Sequence, residues 1–134
     1  MDILAYNYLY DGLVDFNEKS GKPRGNAIVH YPPEKPTYPL TVFDEIRNVA
    51  TNFNSCFDRV ASTGYMARIY AKTKGKVDKQ TIAREVAQMV DKYLTYCGLT
   101  RISYNANESL NDNSIYEIIL TYSGNLHENR RKFI

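Results

Sequence analysis

The chain is poor in the residues that do chemistry. Its 134 residues include two cysteines, two histidines and no tryptophan. Cys56 and Cys97 stand in unrelated contexts, one in an expected loop and one on an expected helix face. They read as free thiols rather than as a disulfide or a metal pair. His30 and His127 have no cysteine, histidine or carboxylate at a ligand spacing, which argues against zinc. A serine or cysteine nucleophile would lack its histidine base, and no Gly-x-Ser-x-Gly elbow precedes a helix. A phosphate loop and a dinucleotide fingerprint are also missing. The expectation is a protein without catalytic residues, cofactor or metal.

Other absences narrow the partners. No apolar run approaches the ~18 residues of a membrane span, and the first residues lack a basic segment followed by an apolar one. The chain therefore reads as soluble and intracellular when made, with no membrane partner. A formal net charge of +2 supplies no field of its own to hold nucleic acid. What is abundant is tyrosine, with 12 copies. Its apolar ring and polar tip suit half-wet surfaces and interfaces, although strands also favour aromatic residues for packing alone. At 43% apolar and 24% charged, the chain has the composition of an ordinary folded domain long enough to bury one core.

The patterning places the elements. Residues 2 to 18 read as a helix capped by Asp2, with Ile3, Tyr6, Tyr10, Leu13 and Phe16 at three- and four-residue spacing. A turn around Ser20-Gly21-Lys22-Pro23 leads to a short strand, Ala27 to Tyr31, stopped by Pro32-Pro33. Pro36 and Pro39 keep the next connection extended. Two long strands follow, Tyr38 to Val49 and Arg59 to Lys72. In the second, Tyr65, Ala67, Ile69 and Ala71 alternate with Met66, Arg68, Tyr70 and Lys72, the period of a half-buried strand. The loop at 50–58 makes the pair a hairpin-like arm with a wide tip.

A helix then opens at Asp78 and closes at Gly98, with one stripe of Ile82, Val86, Met89, Val90, Tyr93, Leu94 and Cys97. Leu99 to Tyr104 reads as a fourth strand and Asn105 to Asn113 as a polar turn. Ser114 to Ser123 has apolar residues on both faces, which predicts an interior strand covered on both sides. The order is α-β-β-β-α-β-β: an α+β domain over 1–124, with two helices on an antiparallel or mixed sheet of about five strands. Residues 125–134, carrying Arg130-Arg131-Lys132 and then Phe133-Ile134, form a tail or arm.

Five segments in this order carry a resemblance. They are Tyr38-Pro-Leu-Thr-Val-Phe, Gly64-Tyr-Met-Ala-Arg-Ile-Tyr-Ala-Lys72 and the helix Ile82-Ala-Arg-Glu-Val-Ala-Gln-Met-Val-Asp91. After them come Gly98-Leu-Thr-Arg101 and Ser114-Ile-Tyr-Glu-Ile-Ile-Leu-Thr-Tyr-Ser-Gly124. Over roughly 38–124, the layout resembles the tail-terminator, or tail-completion, proteins of long-tailed bacteriophages. The resemblance implies a virion protein that assembles in the host cytoplasm into a ring, typically of six copies. Its partners would be further copies of itself, the tail-tube protein beneath and the head–tail connector above. A closed ring needs two different patches that fit each other. Phe53, Phe57, Tyr38 and Phe133, on the protruding segments, are the candidate subunit contacts.

Three other readings compete. A connector or stopper protein has the same physical description. Lys72, Lys74, Lys76 and Lys79, with the arginines of the tail and nearby tyrosines, would suit a small single-strand nucleic-acid module without sequence specificity. An enzyme whose site forms only between subunits would draw on Asp44, Glu45 and His30, but no positioned base, nucleophile or metal set supports it.

Overall fold

A computed structural model describes residues 4–22, 25–52, 59–108, 114–127 and 132–133. The elements run α1 (Leu4–Lys19), β1 (Ala27–Val29), β2 (Leu40–Asn52), β3 (Arg59–Lys72), α2 (Lys79–Tyr96), β4 (Thr100–Glu108), β5 (Ile115–His127) and β6 (Lys132–Phe133). The strands form one mixed sheet in the order β1-β2-β3-β5-β4, with β6 beside β5. Among the described residues only β1 and β2 pair in parallel; the other pairs are antiparallel. The α+β architecture and element order are those expected from sequence, with β6 added.

Helix α2 follows its sequence signals closely. The Asp78 carboxylate accepts from the Gln80 N–H at 3.2 Å, satisfying one of the orphan donors of the first turn. At the far end Gly98 takes φ +93°, where a side chain would be strained, and the Leu99 N–H closes onto Leu94 O at 3.2 Å. Between these stops, Ile82, Ala83, Val86, Ala87, Met89, Val90 and Leu94 are buried. They pack on the row of Tyr65, Ala67, Ile69 and Ala71 from β3 and of Tyr116, Ile118, Leu120 and Tyr122 from β5. Leu9 and Leu13 of α1 join the same core, so both helices lie on one side of the sheet.

The structure corrects the sequence reading at β4, β1 and β5, and it extends β2 to Asn52 and β5 to His127, beyond the expected Val49 and Ser123. β4 runs to Glu108, so residues 105–108 are strand rather than turn. Its asparagines conceal an alternation in which Ala106 packs on the core while Asn105 and Asn107 are exposed. Asparagine is common in turns but is tolerated on the wet side of an edge strand. β1 ends at Val29, two residues short of the expected boundary. β5 is interior to the sheet as expected, flanked by β3 and β4. Its second face is nonetheless not layered: Ile115, Glu117, Ile119 and Thr121 are half-buried, and among the described residues no helix lies over them.

The hairpin arm is present, with β2 and β3 paired out to Asn52 and Arg59. Asp2 and the 53–58 tip lie outside the described residues.

Candidate assembly surfaces

The helix-covered side is closed by aromatic and polar anchors. Tyr6 stacks on Phe43 at 5.5 Å between centroids, and Phe43 on Tyr65 at 5.8 Å. The Tyr6 hydroxyl donates to the Phe43 carbonyl and also meets His30 Nδ1 at 2.7 Å. Tyr10 stacks on His30 at 3.6 Å and donates to Ile28 O at 3.0 Å. Burial pushes the Tyr6 and Tyr10 phenols up, with Asp44 adding to the first and Asp11 to the second.

Asn17, Asn26 and Thr41 form a buried polar trio. Asn17 Nδ2 donates to Asn26 O at 3.0 Å, Asn26 Nδ2 to Asn17 Oδ1 at 3.2 Å, and Thr41 Oγ1 to Asn26 Oδ1 at 3.1 Å. The trio ties the end of α1 to the starts of β1 and β2. The aromatic network and the trio both account for tyrosines and polar residues by folding rather than by contact with a partner.

The opposite side of the sheet is different in kind. Register places Val42, Arg68 and Ile119 in one row and Leu40, Tyr70 and Glu117 in the next. Arg68 reaches Asp44 at 3.4 Å, while its Nε is buried without a partner. Burial raises the Tyr70 phenol, Arg68 opposes that shift, and a hydrogen bond to Glu117 adds to it. At β2 this face is closed, with Leu40 and Val42 buried, while over β3 and β5 it is mixed in charge and half-wet.

Of the four contact residues expected from sequence, Tyr38 is described fully. It is half-buried at the approach to β2, with Lys72 Nζ 4.9 Å from its ring centroid. Phe53 and Phe57 lie outside the described residues. The backbone of Phe133 pairs with Leu126 in β6. The lysines near the 72–79 turn are dispersed: Lys72 covers Tyr38 and Lys79 reaches Glu108 at 3.3 Å. The loose enzyme candidates do not converge either. Register puts Asp44 opposite Met66 and Glu45 opposite Tyr65, hence on opposite faces of the sheet. Among the described residues no group of three His, Cys, Asp or Glu could hold a metal ion. No described helix is long and apolar enough to cross a membrane.

Two surface features escaped the sequence reading. A cleft of about 390 Å³ opens between the helices, lined by Gly12, Asp15, Phe16, Lys19, Lys92, Tyr93 and Tyr96. The second is a pair of exposed isoleucines on the sheet borders, Ile46 at 50% and Ile102 at 60% exposure. Each sits where the pairing register skips a residue, between Glu45 and Arg47 and between Arg101 and Ser103. Only the pairing shows this, because a bulge has no composition signal here.

The fold thus defines a class: one mixed sheet bearing two helices on a single side, with the outer edge of β4 unpaired among the described residues. No family model matches the sequence, and no curated protein matches it. Among solved structures, the chain is similar to a chain of the virion of a native gene transfer agent particle. The TM-score is 0.58 at 13% identity, covering 89% of this chain and 91% of that one. A likeness at this identity is a likeness of fold, end to end in both chains.

Proposed function

We propose that the protein is a structural subunit of a phage-like virion, and within it the tail terminator. In this reading a ring of copies, six by resemblance, caps the tail tube, stops its growth and offers the docking face for the head connector. The observation that carries the reading is the near-complete fold likeness to a virion chain, reached independently of the segment order that suggests the terminator family. The open sheet face and the unpaired β4 edge are what a subunit that buries surface only on assembly presents before it assembles. Phe53, Phe57, Tyr38 and Phe133 are proposed contacts in that ring. The partners are other copies, the tail-tube protein and the connector, and the role is structural rather than catalytic.

Negative-stain microscopy of lysates from a phage lacking this gene tests the proposal. Overlong or irregular headless tails are the expected outcome. Tails of normal length beside full, unattached heads would move the protein to the connector or stopper. Intact infectious particles would remove it from assembly.

A further inference from the structure

The two borders of the sheet are finished differently. β4 runs nine residues, Thr100 to Glu108, without lysine or proline, and no described segment pairs with its outer side. Natural edge strands are commonly blunted by such residues or by a covering element. The opposite border shows that blunting. β1 has three residues, and its Ala27 N–H turns inward to Pro39 O. The backbone of Ile28 therefore turns outward, where the Tyr10 hydroxyl takes its carbonyl at 3.0 Å.

Beside the open edge, on the helix side, a groove of about 210 Å³ lies between β4 and α2. Its walls include Arg84, Gln88 and Asp91 of α2 and Arg101 and Tyr104 of β4, with the buried Leu120 beneath. The charges here do not cancel. Arg101 reaches Asp91 at 3.5 Å, and the Tyr122 hydroxyl donates to the same carboxylate. Lys79 reaches Glu108 at 3.3 Å. Arg84 is exposed, and among the described residues it has no ion pair or hydrogen bond. One positive charge is left over.

The two ion pairs also fix how helix and strand lie. Lys79 is level with Glu108 and Asp91 with Arg101, so α2 runs antiparallel to β4. Arg84 lies about 7.5 Å along the helix from Lys79, or about two residues back along the strand, which is the level of Ala106. Ala106 pairs with Ile118 and faces the helix side, where its small side chain leaves room beside the groove.

We propose that β4 receives an extended segment of another protein as a further strand, and that this segment carries an aspartate or glutamate opposite Ala106. Strand addition would satisfy the open backbone groups between Ser103 and Glu108, where pairing with β5 is regular. A carboxylate opposite Ala106 comes within reach of Arg84. The next helix-side position lies beside Tyr104, 44% exposed, whose ring suits an apolar side chain. Charge selects the occupant. β4 of a second copy would bring only Glu108, which Lys79 already holds, and β1 is closed by Tyr10. An acidic strand from a different protein answers the leftover charge. The site stands whether or not copies of this chain form a ring.

Amide NMR of the isotope-labelled full chain tests it. The probe is a blocked peptide of about seven residues, mostly threonine, with a central glutamate and a leucine two positions away. Its glutamine and lysine versions are compared. Saturable shifts of the Ser103–Glu108 amides are expected, with affinity about tenfold higher for the glutamate version than for the lysine version. Arg84→Gln, at an exposed helix site, is expected to bring the glutamate and glutamine versions to equal affinity. Methylating alternate peptide nitrogens should abolish binding for one alternate set and spare it for the other, since one edge of an added strand bonds to β4. Shifts centred away from β4, none at millimolar peptide, or equal effects of the two methylated sets would overturn the strand addition. Equal affinity of all three versions would overturn the acidic occupant. Shifts of the same amides on raising protein concentration without peptide would assign the edge to a second copy and sink the proposal.

Discussion

The two faces of the sheet are made by alternate residues of the same strands, yet they follow different rules. On the helix side, Tyr65, Ala67, Ile69 and Ala71 of β3 are all at 0% exposure, filled against α2 and by Leu9 and Leu13 of α1. On the other side, the interleaved Met66, Arg68, Tyr70 and Lys72 are half-buried, with charge and apolar surface mixed. A face finished by its own helices has little left to offer a partner. A face and an edge left unfinished cost some stability in the free chain and are available for assembly. Changes on the closed side should therefore act on folding, and changes on the open side and edge on association.

The largest contrast should come from the centre of the closed face. Ile69→Ala or Leu94→Ala removes a side chain at 0% exposure and is expected to cost about 3 kcal/mol, read by urea denaturation. Met66→Ala, three residues before Ile69 on the same strand, is expected to cost under about 1.5 kcal/mol, since its site is half-open to water. Comparable losses at Ile69 and Met66 would break the distinction between the faces.

Next is the buried trio. Asn26→Ala leaves Asn17 Oδ1 and the Thr41 hydroxyl without their side-chain partner in a site closed to water, while Asn17 Nδ2 keeps its bond to the backbone carbonyl. About 2–3 kcal/mol of destabilisation is expected, because an unmade buried hydrogen bond costs more than a made one gains. A loss below about 0.5 kcal/mol would mean that water enters the junction of α1, β1 and β2.

The same contrast explains what was legible in the sequence. α2 was readable to within a residue because Asp78, Gly98 and the apolar stripe are local signals. The alternation in β3 located its strand for the same reason. The asparagines of β4 misled, since their strand conformation is imposed by pairing with β5 rather than by their own preference. Which of two half-apolar faces the helices would cover was likewise not written in the pattern of β5. Hydrophobicity and protrusion, which single out Phe53, Phe57, Tyr38 and Phe133, say nothing of register.

Within the helix layer, Gly12→Ala should invert its usual effect. Alanine in place of glycine inside a helix ordinarily stabilises by about 1 kcal/mol. Here an added Cβ would lie 1.8 Å from Tyr93 Oη and 2.8 Å from its Cζ, so the ring must move. A net cost of about 1–2 kcal/mol is expected. Tyr93→Phe removes the nearest clashing atom, and in that background the cost should fall by about half. Additive behaviour of the two substitutions would show that α1 and α2 are not held as closely as the structure places them.

A smaller effect, of about 1 kcal/mol at neutral pH, is expected for Tyr122→Phe, whose hydroxyl donates to Asp91 at 2.5 Å. Its pH dependence is more informative. Burial first, then the hydrogen bond and the charge of Asp91, raise the Tyr122 phenol, with Arg101 opposing. A group raised in the folded state keeps the native protein protonated where the unfolded chain has lost its proton. Its contribution is therefore complete below the unfolded tyrosine value of about 10 and is lost as pH rises beyond it. Tyr93 is raised by burial in the same direction. Melting temperature should fall from about pH 10 upward, less steeply in Tyr122→Phe than in the parent. Parallel profiles would show that Tyr122 ionises as freely in the folded protein as in the unfolded chain.

The smallest effect is expected on the open face, at the Asp44–Arg68 pair. The contact is long, at 3.4 Å, and the side chains are 41% and 29% exposed. Such pairs contribute about 0.2–1 kcal/mol and are screened by salt. Arg68 is the less symmetric partner, because its Nε is buried without a hydrogen bond. Asp44→Ala leaves that guanidinium with less compensation, whereas Arg68→Met removes the buried donor and keeps much of the apolar stem. Asp44→Ala is therefore expected to cost about 0.5 kcal/mol and Arg68→Met to be neutral or slightly stabilising in the isolated chain. Denaturation at low and high salt reads both, and a clear loss in Arg68→Met that salt does not reduce would mean that this face is part of the folding core rather than a surface held open.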